Sequence, residues 1–131
     1  MNRFFKFQFP LFFWIVLVYW LSSIKSIPVV KSPISLDKVV HIGVYFIFCW
    51  FAHRASFHQF RFPLLRLNAL LFAIVTTVLY GALDEYHQSF VPGRTSDIAD
   101  VMADTIGGIA FVLVYVFLRK YLVKEELEAI D

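Results

Sequence analysis

Residues 84–104 read DEYHQSFVPGRTSDIADVMAD, and they connect two long apolar segments of the chain. Five of the ten acidic residues of the protein fall within these twenty-one positions. Ionisable groups are costly in an apolar environment, so a concentration of carboxylates there indicates a functional role. The Pro92-Gly93 pair predicts a turn inside the stretch. We therefore expect the chain to reverse between two helices at this turn, with a functional site beside it.

The composition of the chain is typical of a membrane protein. Hydrophobic residues make up 60% of its 131 residues and charged residues 17%, whereas soluble domains carry about 25% charged residues. Sixteen Phe, six Tyr and three Trp leave too little polar surface to cover a soluble core. The lipid bilayer is therefore the expected solvent. The net charge of +2 is small and the basic residues are scattered, which excludes a nucleic-acid-binding protein.

The apolar segments and the residues that interrupt them predict an all-α membrane protein with a single domain. The predicted bundle has four transmembrane helices, at about residues 9–24, 36–53, 66–88 and 97–118. The first segment follows Arg3 and Lys6, as in a signal peptide, but no small-x-small cleavage site follows it. We therefore predict a retained first helix. The single Cys49 is expected to be a small buried apolar residue.

The connections between these helices carry most of the remaining charge. Residues 25–37 are predicted to form a loop, with Ser35 or Asp37 as the cap of the second helix. His53 and His58 are predicted to be loop residues at the membrane interface. Residues 119–131 are predicted to lie in water or along the membrane surface.

The basic residues near the helix ends predict the orientation in the bacterial inner membrane. Eight of them lie on one side of the membrane and four on the other. Basic residues are enriched on the cytoplasmic side, so both termini are predicted to be cytoplasmic. Residues 84–104 then face outward.

Three helices are predicted to bring polar side chains to one depth. At 1.5 Å per residue across a core of about 30 Å, His41 lies roughly 10 Å below the outer boundary, and Asp84 and Asp100 lie just beneath it. Lys38 can extend outward. The helical stripes are Asp37-His41-Tyr45, Asp97-Asp100-Asp104-Gly108, and in the third helix either Tyr80-Asp84-His87 or Gly81-Glu85-Gln88. Gly107-Gly108 would let a neighbouring backbone approach closely, so we expect a compact bundle with an outward-facing polar bowl.

Several kinds of chemistry are compatible with these residues. Neighbouring carboxylates that are partly buried can act as general acid and base, and we assign candidate catalytic roles to His41, Glu85, His87 and Asp100. Arg94 could bind the phosphate or carboxylate of an anionic lipid headgroup or envelope precursor. The further candidate ligand-binding residues are Asp37, Tyr45, Asp84, Gln88 and Asp104. No cofactor is predicted, with a divalent metal held by His and carboxylate ligands as the alternative. A structural alternative is that the charged residues only cap and tie helix ends.

Three motifs resemble the VanZ-like family, which is named after a protein of glycopeptide-antibiotic resistance. They are Asp37-Lys38-x-x-His41-x-x-x-Tyr45, Tyr80-Gly81-x-x-Asp84-Glu85-x-His87-Gln88-x-Phe90-Val91-Pro92-Gly93-Arg94, and Asp97-x-x-Asp100-x-x-x-Asp104-x-x-Gly107. The resemblance implies a small bacterial inner-membrane protein of several spans, and a link to teicoplanin resistance for the founding member. Where the family usually has Asn, this chain has Asp104, which adds an ionisable group near Asp100.

Two hypotheses about function follow. One is a membrane-embedded hydrolase or transferase that acts on an envelope or lipid-headgroup substrate. The other is a non-catalytic protein that binds an envelope ligand, an antibiotic or a partner. A transporter is disfavoured, because four short helices leave little room for a gated path.

Overall fold

The protein is built from helices. A computed structural model describes residues 3–25 and 36–128, and all regular secondary structure in these ranges is helical. The helices are α1 (Arg3–Phe7), α2 (Phe9–Ser22), α3 (Leu36–Phe57), α4 (Pro63–Leu67), α5 (Ala69–Gln88) and α6 (Ile98–Glu128). Most of the loop predicted at residues 25–37, including its cap candidate Ser35, lies outside the described residues.

Three of these helices have the length and apolar character of membrane spans. They are α3, α5 and residues 98–121 of α6, and α2 is a shorter apolar helix of 14 residues. This confirms the prediction of an all-helical membrane protein. The three long helices pack against one another, and α2 packs at the edge of the bundle against α3 and α5.

The centre of the bundle is a small aromatic core. Tyr45, Phe48 and Cys49 of α3 pack there with Ala73 of α5 and Phe111 of α6. Helices in lipid associate through close packing rather than through a hydrophobic driving force, so such interdigitation holds the three spans together. Cys49 is fully buried, as the sequence predicts for a small apolar residue.

Glycines of α6 set how closely the three helices approach. A Cβ on Gly107 would overlap the backbone carbonyl oxygen of Ile42 in α3 and lie 3.0 Å from the amide nitrogen of Phe46. A Cβ on Gly108 would lie 2.7 Å from the side chain of Ile74 in α5. The predicted close approach at Gly107-Gly108 is therefore confirmed. It brings the polar residues of α6 within reach of those on α3.

Several helix boundaries differ from the prediction. α3 continues to Phe57, and His53 lies inside it, 6% exposed, with its ring 4.4 Å from that of Tyr115. The prediction of His53 as a loop residue was therefore wrong, because a basic residue near a helix end need not break the helix. The predicted third helix is divided at Asn68 into α4 and α5.

The fourth predicted helix also ends later than expected. α6 continues to Glu128, ten residues past the predicted boundary at 118. The extension contains neither Gly nor Pro and is rich in Leu, Lys and Glu, which favour helix. Residues 119–128 therefore continue the last span as a helix.

Candidate functional site

The polar residues of α3 and α6 meet at one end of the bundle. Nδ1 of His41 lies 2.8 Å from Oδ1 of Asp104, which is 1% exposed. Nε2 of His41 lies 4.0 Å from carboxylate oxygens of both Asp37 and Asp100. Gly81 of α5 makes room for this pair, because a Cβ there would lie 2.8 Å from Oδ2 of Asp104. The histidine is thus oriented by a buried carboxylate at the junction of three helices.

Lys38 lies among the same carboxylates. Its ammonium donates a hydrogen bond to Asp100, lies 3.0 Å from Oδ2 of Asp97 and lies 3.8 Å from Oδ2 of Asp37. Lys38 was predicted only to extend outward, so its role as counter-ion was missed. One signal was available, since a lysine next to Asp37 can reach carboxylates of a neighbouring helix.

The same cluster contains the donor set of a divalent-metal site. Ligand atoms of Asp37, His41 and Asp100 all lie within 4.8 Å of one another. Carboxylate oxygen and imidazole nitrogen are suitable ligands for Mn²⁺ or Zn²⁺. The Lys38 ammonium, however, already compensates Asp37 and Asp100. An added ion would have to compete with it.

One face of α5 points into the bundle, and this decides between the two stripes that helical spacing allowed. The inward face is the Gly81-Glu85-Gln88 stripe, with Asp84 beside it. Gly81, Asp84, Glu85 and Gln88 are all buried. Oδ2 of Asp84 accepts hydrogen bonds from the Tyr45 hydroxyl at 3.3 Å and from Nε2 of Gln88 at 3.2 Å. Oδ1 of Asp84 is buried and has no hydrogen-bond partner among the described residues. An unpaired buried acceptor is costly, so this oxygen is suited to receive a donor from a ligand.

Glu85 faces the start of α6 instead of the histidine. It accepts a hydrogen bond from the backbone amide of Asp97. Asp97 in turn accepts from the amide of Ala99 at 2.9 Å and so caps α6. This backbone hydrogen bond, aided by Lys38, lowers the pKa of the Asp97 carboxyl below its usual value. Glu85 therefore holds the turn between α5 and α6 in place.

His87 is directed toward α2. Its ring stacks on Tyr19 with the ring centroids 4.5 Å apart, and its Nδ1 lies 3.4 Å from Oγ of Ser22. Ser22 also donates a hydrogen bond to the Tyr19 carbonyl at 2.9 Å. The structure therefore does not bring His87 together with His41, and in this position it helps to dock α2.

Arg94 reaches back across the turn to the end of α2. Gly93 has a φ of 83°, a conformation that favours glycine and turns the chain before the arginine. The guanidinium donates hydrogen bonds to the carbonyls of Ile24 at 3.2 Å and Leu21 at 3.3 Å. It also donates to Oε1 of Gln88 at 3.4 Å. Three of its five N–H donors bond to described residues, and the other two have no acceptor among these residues.

A cavity of about 190 Å³ lies between α2, α3 and α5 at this end of the bundle. Six of the predicted site residues line it: Asp37, His41, Tyr45, Asp84, Gln88 and Arg94. Asp104 lies behind His41, while Glu85 and His87 face other helices as described. A neighbouring cavity of about 200 Å³ is lined by Lys38, Asp97 and Asp100, and it shares Asp37, Gln88 and Arg94 with the first.

The apolar part of the first cavity was not predicted. It is formed by Val18 and Leu21 of α2 and by Val40 and Val44 of α3, with Ser22 at the polar end. Val18 and Leu21 are unremarkable in an apolar helix, and only the docking of α2 shows that they face a polar site.

The arrangement can bind a polar group and hold a proton acceptor beside it. A histidine oriented by a carboxylate is the usual form of a general base. The hydroxyls of the cavity lining belong to Ser22 and Tyr45, and they donate to the Tyr19 carbonyl and to Asp84 respectively. Neither is hydrogen-bonded to His41. The geometry thus resembles an acid–base or binding site more than a nucleophile–base pair.

Comparison with known proteins identifies the family of this chain. Neither the curated proteins nor the solved structures include a significant match to this chain. The family model described as VanZ/LLP1 matches residues 3–119, which is nearly the whole chain and includes every site residue described above. The protein therefore belongs to the VanZ/LLP1 family.

Proposed function

We propose that this chain is a four-span protein of the bacterial cytoplasmic membrane whose outward-facing cavity binds the phosphate-bearing headgroup of a cell-envelope lipid or lipid-linked precursor. The observation that carries the proposal is the cavity between α2, α3 and α5. Its apolar part is suited to the upper part of a lipid chain, and its polar end to a headgroup.

A fourth span is supported by the continuity of α1 and α2. The amide of Gln8 donates to the carbonyl of Phe4 at 2.9 Å, and the carbonyl of Gln8 accepts from the amide of Phe12 at 3.1 Å. The helical hydrogen-bond pattern therefore crosses the junction. Residues 3–22 together have roughly the 20-residue length that a bilayer core requires. With an even number of spans, both termini lie on the basic-rich side, which we propose to be the cytoplasm.

Two unpaired groups in the cavity define the chemistry of the ligand. Arg94 retains N–H donors for a phosphate oxygen, and Oδ1 of Asp84 requires a hydrogen-bond donor. A headgroup that joins a phosphate to an amine or hydroxyl satisfies both. A purely anionic group is less suitable, because carboxylates outnumber the permanent cations Lys38 and Arg94 in this region. The cavity has room for about six water molecules at roughly 30 Å³ each, which suits a compact headgroup.

A second candidate function is acid–base chemistry on that ligand, in a hydrolase or transferase. The observation that favours it is the 2.8 Å contact between His41 and Asp104, which orients the imidazole beside the cavity. The link to glycopeptide-antibiotic tolerance is a proposal that rests on family membership. In such a role, the protein would bind or alter an envelope lipid that affects access of the antibiotic.

The test is lipid binding by the purified full-length protein in detergent, measured by native mass spectrometry. Phosphatidylethanolamine, which carries a phosphate and N–H donors, should bind. Phosphatidylcholine with the same acyl chains lacks N–H donors and should bind at least about tenfold more weakly, the effect of one unpaired buried acceptor. Asp84→Asn and Arg94→Gln should remove the preference, whereas Arg61→Gln, an exposed arginine between α3 and α4, should retain it.

Equal binding of the two lipids by the wild-type protein would contradict the proposed ligand chemistry. The enzymatic alternative is tested with His41→Asn, which removes the proton acceptor at nearly unchanged size. If the variant binds lipid but no longer converts envelope lipids in cells, the site is catalytic. If lipid composition is the same in the wild-type, variant and deletion strains, the binding function remains and the catalytic one is rejected.

A further inference from the structure

The opposite end of the bundle contains a second, larger cavity. It lies where α3 ends, α5 begins and α6 leaves the core, and its volume is about 300 Å³. The polar site described above lies at the other ends of the same three helices. The residues that line the second cavity are His53, Phe57, Arg66, Leu67, Asn68, Ala69, Leu70, Leu71, Tyr115 and Arg119.

The described residues that line this cavity carry positive charge. Arg66 and Arg119 are the ionised ones, and none of the described lining residues is a carboxylate. Among the side chains of residues 4–25 and 36–121, neither guanidinium has a salt-bridge partner. Arg66 lies over the ring of Phe60, 5.3 Å from its centroid. Two arginines without a counter-ion at a shared cavity favour an anion.

Two further groups offer hydrogen-bond donors to the same space. His53 is 94% buried, lines the cavity, and has no hydrogen-bond partner in the part of the chain that the structure describes. The neutral ring carries one N–H donor in either tautomer, and the protonated ring carries two. Its contacts are the rings of Phe57, Phe111 and Tyr115, which fix its position without satisfying its nitrogens.

The second donor group is the start of α5. Its first turn, residues 69–71, lines the cavity, and Asn68 does not cap it. The Asn68 side chain donates instead to the carbonyl of Leu64 at 3.1 Å. An uncapped helix N-terminus carries free amides and a partial positive charge, and both stabilise a bound phosphate.

The rim of the cavity is apolar and exposed. Leu67 is 82% exposed, and Phe57 and Leu71 are also exposed. We propose that this cavity is a second lipid site, which binds the phosphate of an anionic phospholipid from the leaflet at that end of the bundle. Basic pockets between membrane helices are a known form of such sites. The assignment is independent of the function proposed for the cavity at Arg94.

The experiment compares phosphatidylglycerol with phosphatidylcholine of identical acyl chains on the full-length protein in detergent, again by native mass spectrometry. The wild-type protein should prefer phosphatidylglycerol. Arg66→Gln and Arg119→Gln should each weaken this binding about fivefold, the effect of one basic residue at an anionic membrane surface. Arg61→Gln should leave it unchanged. Unaltered phosphatidylglycerol binding in the double Arg66→Gln/Arg119→Gln variant would overturn the proposal.

The variant Asn68→Asp distinguishes a loss of lipid binding at this cavity from a loss of folding. Aspartate cannot replace the hydrogen bond from Asn68 to the Leu64 carbonyl, but it is a good N-cap and interacts favourably with the start of a helix. The two effects oppose each other, so the variant should fold, which circular dichroism checks. It also places a negative charge in the cavity and should weaken phosphatidylglycerol binding. Glycerol 3-phosphate is added as a soluble competitor. If it displaces the lipid at equal concentration, the site takes a soluble anion and the lipid assignment is wrong.

Discussion

Gly107→Ala should weaken the junction on which the polar site depends. The new Cβ would overlap the carbonyl oxygen of Ile42 and lie 3.0 Å from the amide nitrogen of Phe46. Both are backbone atoms of α3 and cannot rotate away, so α3 and α6 must separate. Overpacking of a tight core costs about 1–3 kcal/mol, and we expect the upper part of that range. The change also moves His41 away from Asp104. In the wild type, Nδ1 of His41 and Oδ1 of Asp104 lie 2.8 Å apart across the same interface.

Gly43→Ala is the matched control. Gly43 lies within α3, and a Cβ there meets no atom within 4 Å. Replacing a glycine in a helix by alanine should raise the free energy of unfolding by about 0.5–1 kcal/mol. The two variants are compared by reversible unfolding in mixed micelles of increasing SDS fraction, followed by circular dichroism. If Gly107→Ala is as stable as Gly43→Ala, α3 and α6 are not in the contact described.

Two further predictions concern the N-cap of α6 and the orientation of the protein. The lowered pKa of Asp97 means that its charge stabilises the fold above the unfolded value near 3.8 and ceases to do so as pH falls through the lower folded value. The stability difference between the wild type and Asp97→Asn should therefore be constant from pH 6 to about 5 and shrink below pH 4; a pH-independent difference would contradict this. In a Cys49→Ala background, a membrane-impermeant thiol reagent on intact cells should label Ser96→Cys and not Ser56→Cys. The reverse labelling would place the polar site on the cytoplasmic side.

The clearest error in the site prediction is the placement of His87 at the same site as His41. Helical spacing put Asp37, His41 and Tyr45 on one stripe, and the structure places all three at one cavity. Spacing could not show that His87, three residues after Asp84, is directed at α2 and stacks on Tyr19. A residue at the edge of a helical face turns inward or outward according to the helix beside it, and the position of α2 is not encoded in the period of α5.

The sequence by itself determined that this is an all-helical membrane protein, because its apolar segments are too long and its polar residues too few for a soluble fold. It also determined that α3, α5 and α6 carry polar residues at matching depths, since depth follows from the helical rise alone. Only the tertiary structure decided that Lys38 compensates Asp100, that Oδ1 of Asp84 has no partner among the described residues, and that His53 lies at a basic cavity. These features depend on how the helices are rotated and on how closely they approach one another. Close packing at Gly107 and Gly108 sets that arrangement, and it involves residues that are distant in the chain.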